Sequence, residues 1–393
     1  MPTTVTDRLL NASDITVWKK AQTTKGTIPT SPALEPFRRR SGRAMKVIGY
    51  TEDSTVRADF NGMQQVQDTT TISAEIEASV TKQSINLLLE AIHATEVATT
   101  IAASITIAAT GTGFTSSAQF GSLSVGDWVW FSGFANSAIN AIPYKILTKP
   151  TSSTITTWPV PPATESAGAS VVVKSNKSFN ANTPTYNVLQ TRVADLSKSG
   201  SIDYYSVYDA VIDKYNYTGG ETGIITSKAS YVAEQEVTGT ALISGQTDLA
   251  VATDSVLSAV QNVKDFYLNN VSQKCSVKSL NFDINNNYAG DNASACSMRY
   301  TRGVFQVGGS IDVRSMISSP LSFRDYAFNG TRNYLGFRIQ HSSTEETIIV
   351  FPQVLIDKCD MDDSNGSVAN SKCTFKAEMD ATTSSTIQVY KNW

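Results

Sequence analysis

The chain has 393 residues, 17% charged and 41% hydrophobic, with a formal net charge of -3, a length that implies two or three domains. The near-neutral balance excludes a protein that clamps phosphates electrostatically, and two histidines in unrelated contexts, His93 and His341, leave little material for His-based catalysis or metal binding. No catalytic, cofactor or metal site is expected, and an enzyme is disfavoured.

Met1 to Asp7 carries no charged stretch leading into an apolar one, and no run of about eighteen apolar residues follows anywhere, so neither an export signal nor a membrane span is expected. Residues 1–44 contain Pro29, Pro32 and Pro36 and the basic residues Arg38, Arg39, Arg40 and Arg43, which read as an extended arm reaching over a neighbour. From Thr71 the chain alternates: Ile72, Ala74, Ile76, Ala78 and Val80 face one way, Ser73, Glu75, Glu77 and Ser79 the other, a strand with one buried and one solvated face. Ile85 to Ile92 then has helical character, with Leu88, Leu89 and Ile92 on one face.

Val97 to Lys177 reads as a small all-β barrel or sandwich of short strands, such as Val125 to Phe131 and Tyr144 to Leu147, between Gly, Pro, Asn and Ser turns. Inserted into a parent domain, its ends should lie close together. Trp128 and Trp130 share one strand face, which reads as core packing, with a sugar-binding platform as the alternative. Gly111-Thr112-Gly113 lacks the third glycine and the helix of a dinucleotide site.

The remainder is organised by a duplication. Val211 to Tyr215 aligns with Leu355 to Cys359, and Ser227 to Glu234 with Ser371 to Glu378, both at an offset of 144. Each pair reads as a strand ending in Ile-Asp-Lys, a turn, and a returning strand. Upstream, Ser73 to Ala78 aligns with Gly308 to Val313 at an offset of 235, followed in copy two by an apolar segment from Leu321 to Phe328. The drop from 235 to 144 assigns 91 extra residues to copy one, the inserted module. The expected division is 1–96 with 178–245, the insert 97–177, and 246–393. Thr253 to Val260, between the copies, reads as a short capped helix.

In the closing strands Tyr231 and Ala233 oppose Glu234 and Glu236, while Phe375, Ala377 and Met379 oppose Lys376, Glu378 and Asp380; in copy two Ile311 and Val313 oppose Ser310, Asp312 and Arg314. Corresponding strands therefore carry acids on corresponding faces. Asp360 to Gly366 resembles a calcium loop, but its glycine falls one place late and no closing glutamate follows, so a hairpin turn is expected. The four cysteines, Cys275, Cys296, Cys359 and Cys373, show no CxxC spacing. Free thiols are expected, although Cys359 and Cys373 could face each other across a hairpin.

The alternating strand and helix of Thr71 to Ile92, their counterparts from Gly309 to Asn329, Ile348 to Asp357, and Asn370 to Asp380 with Ile387 to Tyr390 together resemble the tail tube proteins of long-tailed bacteriophages, of the type with two tube domains in one chain. The resemblance implies an all-β-dominated fold: two duplicated β-sandwich domains, each with a short flanking helix, plus the inserted small β-barrel or sandwich. It implies a structural protein assembled in the host bacterial cytoplasm, a homo-oligomer of stacked rings, with trimeric rings of pseudo-sixfold symmetry. Double-stranded DNA would pass through the lumen without sequence preference, and the tail terminator, distal tail and tape-measure proteins would be partners. On that basis Glu75, Glu77, Glu234, Glu236, Asp312, Glu378 and Asp380 are expected to face the lumen, with Lys376 and Arg314 as partial neutralisers. Arg38, Arg39, Arg40, Arg43 and Trp393 are expected to bridge subunits. The alternative is a β-sandwich adhesin or decoration protein that binds host glycans through the insert.

Overall fold

A computed structural model of the chain describes residues 15–52, 65–101, 107–168, 171–195, 201–220, 223–239, 241–273, 277–291, 299–314, 326–327, 329–362 and 370–393. Copy one opens with β1 (Ile15–Ala21), β2 (Ala33–Pro36), β3 (Arg39–Ser41), β4 (Ala44–Glu52) and β5 (Gln65–Ser79), then α1 (Ile85–Ala91) and β6 (Thr95–Ile101). The insert adds β7 (Ile107–Ala109), β8 (Gly113–Ser116), β9 (Trp128–Ser132), α2 (Ser137–Asn140), β10 (Pro143–Thr151), β11 (Thr154–Trp158) and β12 (Glu165–Gly168). Copy one resumes with β13 (Val172–Phe179), β14 (Asn187–Asp195), β15 (Ser201–Gly219), β16 (Thr226–Val232) and β17 (Gln235–Gly239). After β18 (Thr247–Asp248) and α3 (Ala259–Asn262), copy two comprises β19 (Val263–Leu268), β20 (Val271–Ser272), β21 (Val277–Asn285), β22 (Ala289–Asp291), β23 (Arg299–Thr301), β24 (Gln306–Arg314), β25 (Arg332–Gln340), β26 (Glu346–Asp362), β27 (Asn370–Glu378) and β28 (Gln388–Lys391). The fold is all-β dominated, as the alternation predicts.

The pairing register realises both offsets. Ala229 on β16 faces Ile76 on β5, and Cys373 on β27 faces Ile311 on β24. Ile212 faces Tyr231, and Ile356 faces Phe375, with the ladder interrupted after Ile212 in one copy and after Ile356 in the other. The same bulge therefore recurs at Asp213 and Asp357, where it bends a long strand from one sheet into the next. Further counterparts share only scattered identical residues, too few to announce them. Ala44 faces Ala74 where Phe282 faces Gly309, so β4 corresponds to β21; Asn187 faces Ala210 where Asn333 faces Val354, so β14 corresponds to β25.

Each copy thus contributes four strands to one sheet, in the order β4–β5–β16–β15 and β21–β24–β27–β26. A second layer is built on the N-terminal halves of β15 and β26: β1, β14 and β17 in copy one, β19, β25 and β28 in copy two. The core between the layers is continuous through both copies, from Ile72, Ile76 and Leu88 to Tyr217, Phe282, Phe337 and Phe375. Alpha1 covers it with Ile85, Leu87, Leu88 and Ala91, the larger side chains each contributing about 2 kcal/mol of burial.

The insert has its own core around Phe114, Phe120, Phe131 and Tyr144, and Val97 faces Lys177 where its stem enters and leaves. Three expectations are corrected. Residues 253–257 are not helical; α3 is a single turn from Ala259, capped by Ser258, because Leu257 is buried and its N–H is taken by the Val80 carbonyl at 2.8 Å. Cys359 and Cys373, facing each other across β26 and β27 with Cα atoms 4.0 Å apart, form a disulfide rather than free thiols. Tyr231 and Ala233 do not share one strand with Glu236: Val232 facing Ser73 is the last rung of β16, and the chain turns there into β17 of the other layer. Most of the expected copy-two helix and the turn from Asp363, as well as Cys275 and Cys296, lie outside the described residues.

Candidate assembly surfaces

The two copies join edge to edge. Beta15 and β21 run antiparallel from Lys214 facing Asn285 to Gly219 facing Leu280, so the two four-stranded sheets become one. On the buried face Tyr217 stacks on Phe282 with centroids 4.9 Å apart; on the solvent face the Asn216 amide donates to the Asp283 carboxylate. Asn286, fully buried, donates to the carbonyls of Ala91 and Ile212 at 2.9 Å each and accepts from Arg302 Nε at 3.1 Å. His93 adds a second tie. Its Nδ1 accepts from Thr185 N–H at 3.2 Å, so Nε2 carries the hydrogen and donates to Tyr288 Oη at 3.1 Å. Burial, followed by the nearby Arg302 charge, pushes the His93 pKa down to about 3, so the imidazole is neutral.

Joining the copies this way leaves two outer edges. Among the described residues, β4 pairs only with β5, and the C-terminal half of β26 only with β27. Gly42, at φ +102°, bends the chain between β3 and β4; a Cβ there would stand 1.8 Å from the Glu75 carbonyl oxygen.

The solvent face of the joined sheet is polar and mixed in sign. Glu75 lies 2.6 Å from Lys228 and Glu77 3.3 Å from Arg40. Asp312 accepts from Ser279 Oγ at 2.7 Å and stands opposite Lys372, and Lys358 lies 2.5 Å from Asp360. Glu75, Glu77 and Asp312 thus share a face with lysines interleaved. The other four predicted acids sit elsewhere or at its end. Glu234 is 2.6 Å from Lys25, nearly buried, and accepts from Tyr300 N–H; Glu236 is on β17, accepting from Lys46 N–H. Glu378 is held by Arg332 and Gln353 at the end of β27, and Asp380 caps a turn by accepting from Thr383 N–H.

The basic arm is laid along its own chain. Beta2 pairs with β1 and β18, the Arg38 guanidinium donates to the Asp254 carbonyl, and Arg39 donates to the carbonyls of Ile15 and Gly42; Arg43 is exposed. Trp393 packs edge-on against His341, with Lys82 Nζ 5.3 Å from its ring centroid.

The insert is seated on copy two. At its foot the copy-one strand β13 pairs with β28 from Lys177 to Phe179, and above that ladder Trp128 and Trp130 of the insert form a separate buried cluster with Tyr267, Ile348, Val350 and Tyr390 of copy two. Trp128 stacks on Tyr267 and donates to Tyr334 Oη at 2.8 Å; Trp130 donates to Glu346 at 3.2 Å. The two indoles are at most 5% exposed, which removes them as a glycan platform. They were legible as one strand face, but they pack against copy two rather than inside the insert. Buried beside them, Lys145 donates to Asn270 Oδ1 at 2.7 Å, and burial lowers its pKa to about 7.

No group of three or more His, Cys, Asp or Glu side chains that could hold a metal occurs among the described residues, and no described helix is long and apolar enough to cross a membrane. A comparison with curated proteins returns no match. The sequence profile described as phage tail tube protein, in contrast, matches residues 12–376. A duplicated β-sandwich whose copies join by their strand edges accords with that match: the chain belongs to the phage tail tube protein family, structural components of the virion tail.

Proposed function

We propose that three chains close into a ring through the two outer strand edges, that rings stack into the tail tube, and that double-stranded DNA passes along the solvent face of the joined sheet. The observation that carries this reading is the β15–β21 junction: one chain already contains two equivalent units side by side, and it ends in one edge of each kind. An interface between unlike edges is heterologous and closes only as a ring. Pairing also removes two strand edges that invite uncontrolled association. Residues 1–96 with 178–245, 97–177 and 246–393 would be the folding units, and the tail terminator, distal tail and tape-measure proteins the end partners.

Glu75, Glu77 and Asp312 would line the lumen together with Lys228 and Lys372. A wall of compensated charges and hydroxyls offers DNA no uniform positive surface to release counterions onto, so the duplex slides. Negative-stain microscopy of purified protein tests the reading: hollow tubes whose isolated rings have the mass of three chains are expected. A chain that stays monomeric as concentration is raised, or rings of another stoichiometry, would refute it.

A further inference from the structure

The outer edge of β4 is unpaired by any described strand, yet it is not bare. Thr191 Oγ1 accepts from Ala44 N–H at 3.0 Å and donates to the Ala44 carbonyl at 2.9 Å. Two residues on, the Glu236 carboxylate accepts the Lys46 N–H. Alternate residues of a strand direct their N–H and C=O to the same side, so both contacts lie on the side away from β5. In copy two the equivalent groups belong to Phe282 and Ile284, and there β15 lies along that side.

Resting on the ring reading above, we propose that Glu236 is a removable guard of the ring-closing edge. Beta26 of a second copy of this chain takes its place in a single register, with Lys358 opposite Val47, Cys359 opposite Lys46 and Asp360 opposite Met45. The register follows from the internal junction. Beta15 maps onto β26 at an offset of 144 and β4 onto β21 at 238. Lys214 facing Asn285, Tyr215 facing Ile284 and Asn216 facing Asp283 then give the three pairs named.

Two independent features of β26 fit. The Cα atoms of Cys359 and Cys373 are 4.0 Å apart, the spacing of a non-hydrogen-bonded antiparallel pair. Cys359 therefore turns its N–H and C=O away from β27, toward the open edge, where Lys46 presents its own. Charge agrees as well: exposed Asp360 lies diagonal to exposed Arg43 across the proposed ladder. Thr191, fully buried, stays in place and ends the ladder at Ala44. A carboxylate on the edge amide keeps the free chain from pairing indiscriminately and is exchanged for a carbonyl when the correct strand arrives.

Met45→Cys combined with Asp360→Cys, oxidised after tube assembly, is expected to give covalent species up to the closed ring on a non-reducing gel. Met45→Cys with Lys358→Cys, shifted by two residues, and the wild type should remain single chains. Tubes in which the shifted pair links, or neither pair does, overturn the register and leave the ring reading standing; absence of wild-type tubes overturns both. Wild-type tubes provide a second measure that needs no variant, since the Cys359 and Lys46 amides should gain hydrogen-exchange protection on assembly, and unchanged exchange refutes the pairing. Glu236→Ala should lower the critical concentration for assembly roughly fivefold, the equilibrium equivalent of one net hydrogen bond; an unchanged or raised value refutes the guard.

Discussion

Acid should loosen the unassembled chain well before its carboxylates titrate, and His93 and His341 set the magnitude. In the folded chain burial holds the His93 pKa near 3, and burial holds His341 near 4, against an ordinary value of 6.5. The unfolded chain takes up protons below about pH 6.5 while the folded one does not, so stability is complete above that value and falls as pH drops toward the folded pKa values. At ~1.4 kcal/mol per pH unit per group, each histidine removes about 2 kcal/mol at pH 5, together about 4 kcal/mol. That is a substantial part of the ~5–15 kcal/mol of a typical domain. Carboxylates, with unfolded pKa values near 4, add little above pH 5. Urea unfolding at pH 7.5, 6 and 5 should show this loss. His93→Gln should lower stability at pH 7.5, because the ties to Thr185 and Tyr288 at 3.2 and 3.1 Å are lost, yet about halve the further drop to pH 5. A His93→Gln chain that keeps the full drop would refute the assignment.

Lys19, with a side chain 6% exposed between Glu90 and Glu35, ties β1 to α1; Lys19→Met should cost ~2–3 kcal/mol in urea unfolding by leaving the largely covered Glu90 carboxylate without its cation, and adding Glu90→Gln should recover part of it. Trp128→Ala should cost ~3–5 kcal/mol and open the stem at β6 and β13 to limited proteolysis, while the insert's own core, read by near-ultraviolet circular dichroism, persists. Gly42→Ala forces a Cβ to 1.8 Å from a carbonyl oxygen and should cost more than ~2 kcal/mol by thermal melting, whereas Gly121→Ala, with no atom within 4 Å, should be neutral to within ~0.5 kcal/mol.

The hairpins of the duplication were legible because they keep residue identity on both sides of the bulge, Ile212-Asp213-Lys214 and Ile356-Asp357-Lys358. Once the chain leaves those hairpins, identity thins to isolated positions and register carries most of the likeness. Nothing in Ala44 and Phe282 announces that they occupy equivalent rungs, and the identical Asn187 and Asn333, or Leu189 and Leu335, are too isolated to align their strands unaided. Alternation likewise reports which residues share a face but not where a strand stops. Tyr231 and Ala233 continue the pattern toward Glu234 and Glu236, yet the Ala233 N–H already bonds to the Ile72 carbonyl at 3.0 Å as the chain departs. The mixed sign of the solvent face was hidden for a related reason. Within β5 the acids stand alone; the lysine beside Glu75 comes from β16, more than one hundred residues away, and the arginine beside Glu77 from β3.

The insert makes the two copies unequal, and the inequality has a structural logic. Beta17 and β28 are counterparts, each paired to the N-terminal half of its long strand. In copy two the far edge of β28 is occupied by β13, whereas β17 has no second partner strand among the described residues and leaves Val237 about half exposed. A segment encoded within copy one therefore completes the outer layer of copy two. With β15 paired to β21 in one layer and β13 to β28 in the other, the copies are joined twice, through ladders on two different sheets. A single ladder is a hinge about its own axis, but two ladders on separate layers fix the angle between the copies. In the proposed ring of three fused pairs, that angle would decide whether the third chain meets the first, so the β13–β28 ladder at the foot of the insert would act on closure while contributing to neither closing edge.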